Sequence, residues 1–405
     1  VGTVLVLGRL VYRETGSRSA ALLAGGVYAA TFPFGDTTLD LARVDALFTF
    51  LLFVAVYAAR RAALEPRQAS LSLAISGVVL GLAALTKLPL GAVPVALGIF
   101  LSSVFAHRAR ALVFLAAAGV TVAAGLALLG SGPWPLFYLW DLPERHYVRP
   151  DLVGRFWFMD ILPRLSIALL FGPAFVVVRL LQRDARPLVF YSMVSGSVLA
   201  LSWISRTNGG GSINVLLPAF ALAALLLGLG VHSVITQIDG NTLRAQTFRA
   251  YLFALCVVQF GLLAYNPRLT VPYRSDQWAD DRLAQKLASL PAPILAGDLD
   301  TYMHRDTQSV HPMAGPIGEI EGEFGGPGTP EGHAIDNTIR AQLAAHRFRY
   351  VVLYDKSSCC FEDMAASYGY RDVGPLFPPG DVFYEWKSSR TPAPELLAAP
   401  DQPAN

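Results

Sequence analysis

Charge is what this chain lacks. Only 15% of its 405 residues are Asp, Glu, Lys or Arg, against about 25% in ordinary soluble domains, and the mean hydropathy is positive. That composition excludes a soluble globular protein and points to one that crosses a membrane. Lysine is scarcer still, since Lys87 is the only one before Lys286. The histidines, among them His304, His311 and His333, have no compact metal-ligand spacing, so no metal site is indicated and no cofactor is called for, with the need for a divalent metal left open. Of the cysteines, Cys256 falls in an apolar run and reads as core, while Cys359 and Cys360 are adjacent and read equally as a vicinal disulfide or as two free thiols. No charged n-region or cleavage site precedes the first apolar run, and the chain opens with Val. It is therefore expected to be a fragment truncated at its N-terminus rather than one led by a signal peptide.

What is present is a series of apolar runs, many near the roughly 20 helical residues needed to cross about 30 Å of hydrocarbon. Ten can be marked: Val1 to Tyr12, Ala20 to Phe34, Val44 to Ala59, Leu71 to Thr86, Leu88 to Phe105, Ala111 to Gly130, Ile161 to Leu181, Leu188 to Ile204, Ile213 to Val231 and Tyr251 to Tyr265. The first is too short to span. The connecting loops alternate in charge. Arg9, Arg13, Arg18, Arg60, Arg61, Arg67, Arg108, Arg110, Arg179, Arg183, Arg186, Arg244 and Arg249 fall on one face. Arg43, Lys87, Arg145, Arg149, Arg155, Arg164 and Arg206 fall on the other, with most of the acids. The positive-inside rule makes the first face cytoplasmic.

The fold class that follows is a multi-pass α-helical membrane protein with a small C-terminal α/β soluble domain. Its expected parts are a transmembrane domain over 1–265, an external α/β domain over 266–387 and a disordered Pro/Ala-rich tail over 388–405. Within the α/β part the pattern gives helices over Asp276 to Ser289 and Ile335 to His346, and strands over Pro293 to Ala296, Tyr350 to Tyr354 and Val382 to Trp386.

The external face carries the chemistry. Asp36, Asp40 and Asp45 lie in a short gap between two apolar runs, and Lys87 lies in Thr86-Lys87-Leu88-Pro89, where two more meet. Ions this close to hydrocarbon cost several kcal/mol unless paired or hydrated. A cluster of them is a candidate polar-ligand site. Asp45 also suits a helix N-cap, Asp36 and Asp40 suit solvated loop acids, and Lys87 suits snorkelling to headgroups. Arg145, His146 and Arg206 add cations, and Trp134 and Tyr138 add aromatic faces, which suit a sugar or an interfacial belt. The Gly-rich turn from Asn208 to Ser212 opens the run containing Asn214 and could present N–H groups to a phosphate. Asp298-Leu299-Asp300 has the form of a metal-holding acidic triplet but reads better as a loop after a strand.

Two stretches carry a resemblance. Arg43-Val44-Asp45-Ala46-Leu47-Phe48-Thr49-Phe50 opening a helix, then Gly81-Leu82-Ala83-Ala84-Leu85-Thr86-Lys87-Leu88-Pro89, resemble the GT-C class of integral-membrane glycosyltransferases, and more narrowly glycosyltransferase family 39. That family includes protein O-mannosyltransferases and the aminoarabinose transferase of lipid A. The stretches Gly132 to Tyr138, Leu142 to His146 and Gly209 to Pro218 agree in order and sidedness. The resemblance implies an enzyme that moves a sugar from a polyprenyl-phosphate carrier to an extracytoplasmic acceptor with inversion. Asp45 would be the family's second aspartate and Lys87 the lysine of its Thr-Lys-x-Pro motif, although Leu88 stands where Gly is common. The main base is expected in a first external loop ahead of Val1, so this fragment is expected to be inactive. On this reading Asp36, Asp40 and Asp45 are the catalytic candidates, Lys87, Arg206, Arg145 and His146 meet the donor phosphate, and Trp134, Tyr138 and Asn214 meet the sugar or acceptor. The expected setting is a bacterial inner membrane with the C-terminal domain outside, the partners are the lipid donor, the bilayer and an acceptor of unknown class, and no nucleic acid is involved. A polytopic transporter or lipid flippase, or a non-catalytic scaffold with a ligand-binding external domain, are the rival readings.

Overall fold

The computed structural model describes residues 1–35, 44–87, 89–130, 137–209, 211–267, 273–296, 330–353, 361–377, 382–384, 390–392 and 394–400. They form two compact units. Val1–Glu144 with Val148–Tyr265 make the first, and Arg145–Tyr147 with Asn266–Asn405 the second.

The first unit is a helical bundle. Its long elements are α1 (Gly2–Thr15), α2 (Arg18–Ala30), α3 (Val44–Leu64), α4 (Ala69–Thr86) and α5 (Val93–Leu128). The short α6 (Pro150–Arg155) runs through a wider π-helical turn at Phe156–Ile161 into α7 (Leu162–Leu181). Then follow α8 (Ala185–Thr207), α9 (Leu217–Ile235) and α10 (Leu243–Leu262). Among the described residues, seven segments are long and apolar enough to cross a membrane. The first two expected runs form α1 and α2, of 14 and 13 residues, which fall short of that length. Gly16 ends α1 in the left-handed conformation, and the Ser17 hydroxyl accepts from the Ala20 N–H to start α2, so the two pack back to back.

The two expected runs Leu88 to Phe105 and Ala111 to Gly130 form the two arms of α5, two helices joined across a break at which the chain turns back on itself. His107 has non-helical φ/ψ of −153° and 72°. Before it, α5 descends against α8, with Gly98 against Met193 and Ser197, and Gly91 in the turn ahead of it lies beside Leu201. After it, α5 rises alongside α4, with Gly77 against Phe114 and Ala117, Gly81 against Thr121, and Gly125 against Leu85. The reversal is pinned from α3 and its loop: the His107 imidazole bonds the Ala62 carbonyl at 3.2 Å and Arg110 donates to the Pro66 carbonyl at 2.6 Å. A Cβ on Gly77 would come within 2.3 Å of the Phe114 carbonyl oxygen. Only glycine allows that approach, the usual device for close helix contacts in lipid.

The centre of the bundle is α9, buried without a break from Leu217 to Val231. A helix apolar all round has to be enclosed by others, and α1, α2, α7 and α8 enclose it. At the end of the bundle where α1 and α3 finish, Glu14 and Arg60 form a buried bidentate pair at 2.8 and 2.5 Å. The Tyr191 hydroxyl donates to the same carboxylate at 3.2 Å, and the Phe190 and Tyr191 rings lie 5.5 Å from the guanidinium. This network ties α1, α3 and α8 together.

The second unit has a four-stranded sheet in the order β1-β2-β6-β3, built from β1 (Ile294–Leu295), β2 (Tyr350–Leu353), β3 (Arg371–Pro375) and β6 (Glu395–Ala398), with a separate β4 (Val382–Tyr384) and β5 (Arg390–Pro392) pair. β1 and β2 are parallel, and the other pairings are antiparallel. One sheet face packs on α11 (Arg274–Ser289) through Leu283, Leu287 and Leu290. The other packs on α12 (Pro330–Ala344) and α13 (Phe361–Ser367) through Ile339, Leu343, Met364 and Ala365. The expected helices and strands are found within a few residues. The expected disordered tail from 388 onward is corrected: Glu395–Ala398 pairs on both sides, with β2 and with β3. Leu396 and Leu397 alternate into the two core clusters, so a short apolar tetrapeptide inside a Pro/Ala-rich stretch is the inner strand of the sheet.

The Glu14–Arg60 pair gives the first prediction. Glu14→Gln should destabilise the protein by about 3 to 5 kcal/mol, because it leaves a buried guanidinium unpaired, whereas Glu14→Gln with Arg60→Met should recover much of that loss. Thermal unfolding in detergent checks it; equal losses in the single and double variants would contradict it.

Candidate functional site

The opposite end of the bundle holds the other buried charges found among the described residues. Asp45 lies in the first turn of α3 and is 3% exposed. Lys87 follows the last residue of α4, where its extended backbone (φ −138°, ψ 175°) ends the helix. Antiparallel packing of α3 and α4 brings these two ends together, and the Lys87 ammonium donates to Asp45 Oδ1 at 2.5 Å. Forty-two positions apart in sequence, they are one ion pair. The Lys87 Nζ also sits 5.9 Å from the Phe48 ring centroid. The pair is asymmetric: the carboxylate side chain is 4% exposed and the ammonium 28%. A ligand approaching this end therefore meets the cation first.

A second pair stands at the same end. Asp160, in the wide turn before α7, accepts from Arg206 Nε at 2.8 Å, and both side chains are 8% exposed. The Arg206 Nη1 donates to the Gly211 carbonyl at 2.8 Å, which holds the turn after α8 against its last residues. That turn is close-packed. A Cβ on Gly211 would fall 2.0 Å from the Ser205 carbonyl oxygen. The Gly211 N–H is spent on the Asn208 carbonyl rather than offered outward. Beyond it, Asn214 lies in a short 3-10 turn, Ile213–Leu216, 9% exposed. This turn packs beside Phe32–Gly35, whose Phe34 ring lies 4.9 Å from the Arg164 guanidinium.

Gln259 of α10 braces the start of α7. The helix is broken at Leu165 (φ −129°, ψ 20°), and the wholly buried Gln259 amide accepts from the Ala168 N–H at 2.9 Å and donates to the Arg164 carbonyl at 2.7 Å. One side chain thus satisfies both sides of a gap in the backbone ladder, which in lipid would otherwise cost several kcal/mol. On the surface nearby, Asp151, Gly154, Arg155, Phe158 and Met159 line a shallow cleft of about 510 Å³. Phe158 and Met159 are mostly exposed.

Of the residues singled out in the sequence, the structure brings Asp45 and Lys87 into contact and puts Arg206 and Asn214 at the same end. Arg206 is already committed to Asp160 and to Gly211. Asp36, Asp40 and Trp134 lie outside the described residues, as do the side chains of Tyr138 and Arg145, the Asp298–Asp300 triplet and Cys359–Cys360. His146 is partly buried and grouped with the second unit. Sequence reasoning missed Asp160 and Gln259 as partners. Their signal was there: each is a polar residue inside an apolar stretch, and such a group needs a partner. Among the described residues, no group of three or more His, Cys, Asp or Glu could hold a metal ion.

The segment from Val1 to Gly130 contains the first pair entire. It matches the family model described as dolichyl-phosphate-mannose-protein mannosyltransferase. The matched segment spans α1 to α5, 130 of the 405 residues. The match bears out the GT-C resemblance and supports a membrane glycosyltransferase of that type, with a lipid-linked sugar donor. No curated protein and no solved structure matches the chain.

The asymmetry of the Asp45–Lys87 pair sets a second prediction. In the intact protein Asp45→Asn should keep the fold, because the Lys87 ammonium is 28% exposed and is hydrated once the carboxylate is gone, but lower turnover by roughly 10- to 1000-fold, the range for losing one positioned polar group. Steady-state kinetics with an unchanged thermal midpoint would bear this out; unchanged turnover would leave Asp45 a structural partner of Lys87 alone.

Proposed function

We propose that the protein moves a sugar from a polyprenyl-phosphate carrier to an extracytoplasmic acceptor, inverting the anomeric centre, in a bacterial inner membrane. The observation that carries this reading is the Asp45–Lys87 pair at the bundle end, inside the segment that matches the mannosyltransferase family. Lys87 supplies a partly exposed cation for the carrier phosphate. Asp45 holds that ammonium in place and, through it, the reacting phosphodiester. The cleft beside Phe158 and Met159 offers apolar side chains where a polyprenyl chain lying in lipid would approach. Crowding of ion pairs at the bundle ends favours a transferase over a transporter, whose ion sites lie near the midplane between its repeats. The bundle end bearing Lys87 is the extracytoplasmic one, because the arginine-rich loops gather at the other. The unit after Tyr265 lies outside and engages the acceptor.

Two outcomes test this. In the intact protein Lys87→Ala should weaken binding of a polyprenyl-phosphate lipid by roughly 10- to 150-fold, the worth of a charge-assisted hydrogen bond; unchanged affinity would return Lys87 to a purely structural role. Cysteines placed at Arg67 and at Arg347 should label from opposite sides of intact cells or vesicles, Arg347 from outside. Labelling of both from the same side would overturn the sidedness.

A further inference from the structure

Two guanidiniums converge on one phenol where α1 and α3 run side by side toward the arginine-rich end of the bundle. Gly2 lies against the Phe50 ring at one end of this contact, and Arg13 donates to the Tyr57 hydroxyl at 3.2 Å at the other, so the two helices are parallel. Arg9, one turn before Arg13 on α1, reaches the same hydroxyl. Arg13 also pairs with Glu65, which accepts from Arg61 at 2.8 Å. Three guanidiniums thus share one carboxylate, and the nearby Glu14–Arg60 pair is neutral by itself.

Arg9 is the member of this cluster that needs a further partner. It is exposed, it stands about 9 Å along the helix axis before Thr15 ends α1, and among the described residues no carboxylate pairs with it. A cation at that depth is costly without a counter-charge. Its long side chain reaches toward headgroup level, where the available counter-charge is a lipid phosphate. The rest of the groove has the polarity of a lipid. Leu5, one turn before Arg9 on the same face of α1, is 67% exposed, and Phe50, Val54 and Tyr57 follow one another along one partly buried face of α3. Apolar side chains lie toward the midplane and cations toward the bundle end, which is the order of acyl chain and phosphate within one leaflet. The net positive charge selects the headgroup. A zwitterionic lipid brings its own ammonium beside the phosphate, whereas an anionic one leaves its charge to the guanidiniums.

We propose that Arg9, Arg13 and Tyr57 hold the phosphate of an anionic phospholipid whose acyl chain lies along Leu5, Phe50 and Val54, in the leaflet at the arginine-rich end. This lipid is a fixed component of the α1–α3 contact, at the end of the bundle opposite Lys87, and is not the sugar donor. The site does not depend on sugar transfer.

Binding of phosphatidylglycerol and of phosphatidylcholine to the intact, delipidated protein in detergent, followed by native mass spectrometry, tests this. Wild-type protein should retain phosphatidylglycerol in preference to phosphatidylcholine. Arg9→Gln should weaken phosphatidylglycerol binding by roughly 5- to 10-fold, the worth of one guanidinium at a headgroup. Tyr57→Phe should weaken it by roughly 2- to 10-fold, the worth of one hydrogen bond, and gives the same test should Arg9→Gln fail to fold. Arg108→Gln, at an exposed arginine of the same bundle end outside the groove, should leave binding unchanged. Equal losses for Arg9→Gln and Arg108→Gln would show diffuse attraction to the basic end and overturn the site, as would a wild-type protein that does not distinguish the two lipids. Displacement of the lipid by inorganic phosphate would overturn the phospholipid as ligand in favour of a simple anion.

Discussion

Pairing of charge in a medium that does not tolerate charge is the constraint on which this bundle depends. An ion moved from water into hydrocarbon costs several kcal/mol even after relaxation, and an ion pair recovers that cost only when its geometry is good. Among the described residues three buried pairs meet the demand: Glu14–Arg60 at one end, and Asp45–Lys87 and Asp160–Arg206 at the other. Each joins separate helices. The pairs therefore act as registers, because α3 cannot slide along α4, nor α7 along α8, without stranding a charge. Packing alone is less selective, since one apolar helix face resembles another.

The three pairs differ in what they leave over. Glu14–Arg60 is enclosed by Tyr191 and Phe190 and has no accessible side. Asp160–Arg206 is also sealed but spends a further guanidinium donor on Gly211. Only Asp45–Lys87 exposes one partner more than the other. The same chemistry thus serves as a clamp in the first case, a brace for a turn in the second, and an accessible cation in the third. Burial, rather than residue type, sorts them.

Backbone breaks are treated with equal economy. The helix reverses at His107, whose imidazole bonds a carbonyl near the end of α3, while Arg110 bonds one in the α3–α4 connection. At Leu165 the Gln259 amide closes the gap. Both breaks lie at bundle ends. At Leu165 the freed N–H and C=O both find a side chain, and irregular backbone is tolerated where protein covers it.

The class of the protein was legible in the sequence because it is set by composition: few charges, repeated apolar runs and alternating arginine loops leave no soluble alternative. Asp45 and Lys87 stood out for the same reason, as ions where ions are expensive. Two helices and three strands of the second unit followed from local periodicity, but the short helix Phe361–Ser367 and the strands Arg371–Pro375, Arg390–Pro392 and Glu395–Ala398 did not, since so few residues carry too little pattern and the strength of Glu395–Ala398 comes from pairing on both edges. The two runs that read as separate helices, Leu88 to Phe105 and Ala111 to Gly130, are the two arms of α5, and only the folded chain placed the reversal between them at His107. Which charge meets which could not be read either. Lys87 to Asp45 spans 42 positions and Arg206 to Asp160 spans 46, and contacts at that separation depend on helix direction and offset. Residue type fixed that these groups needed partners; only the folded bundle decided which partners they have, because distance in space, not in sequence, sets the Coulomb energy.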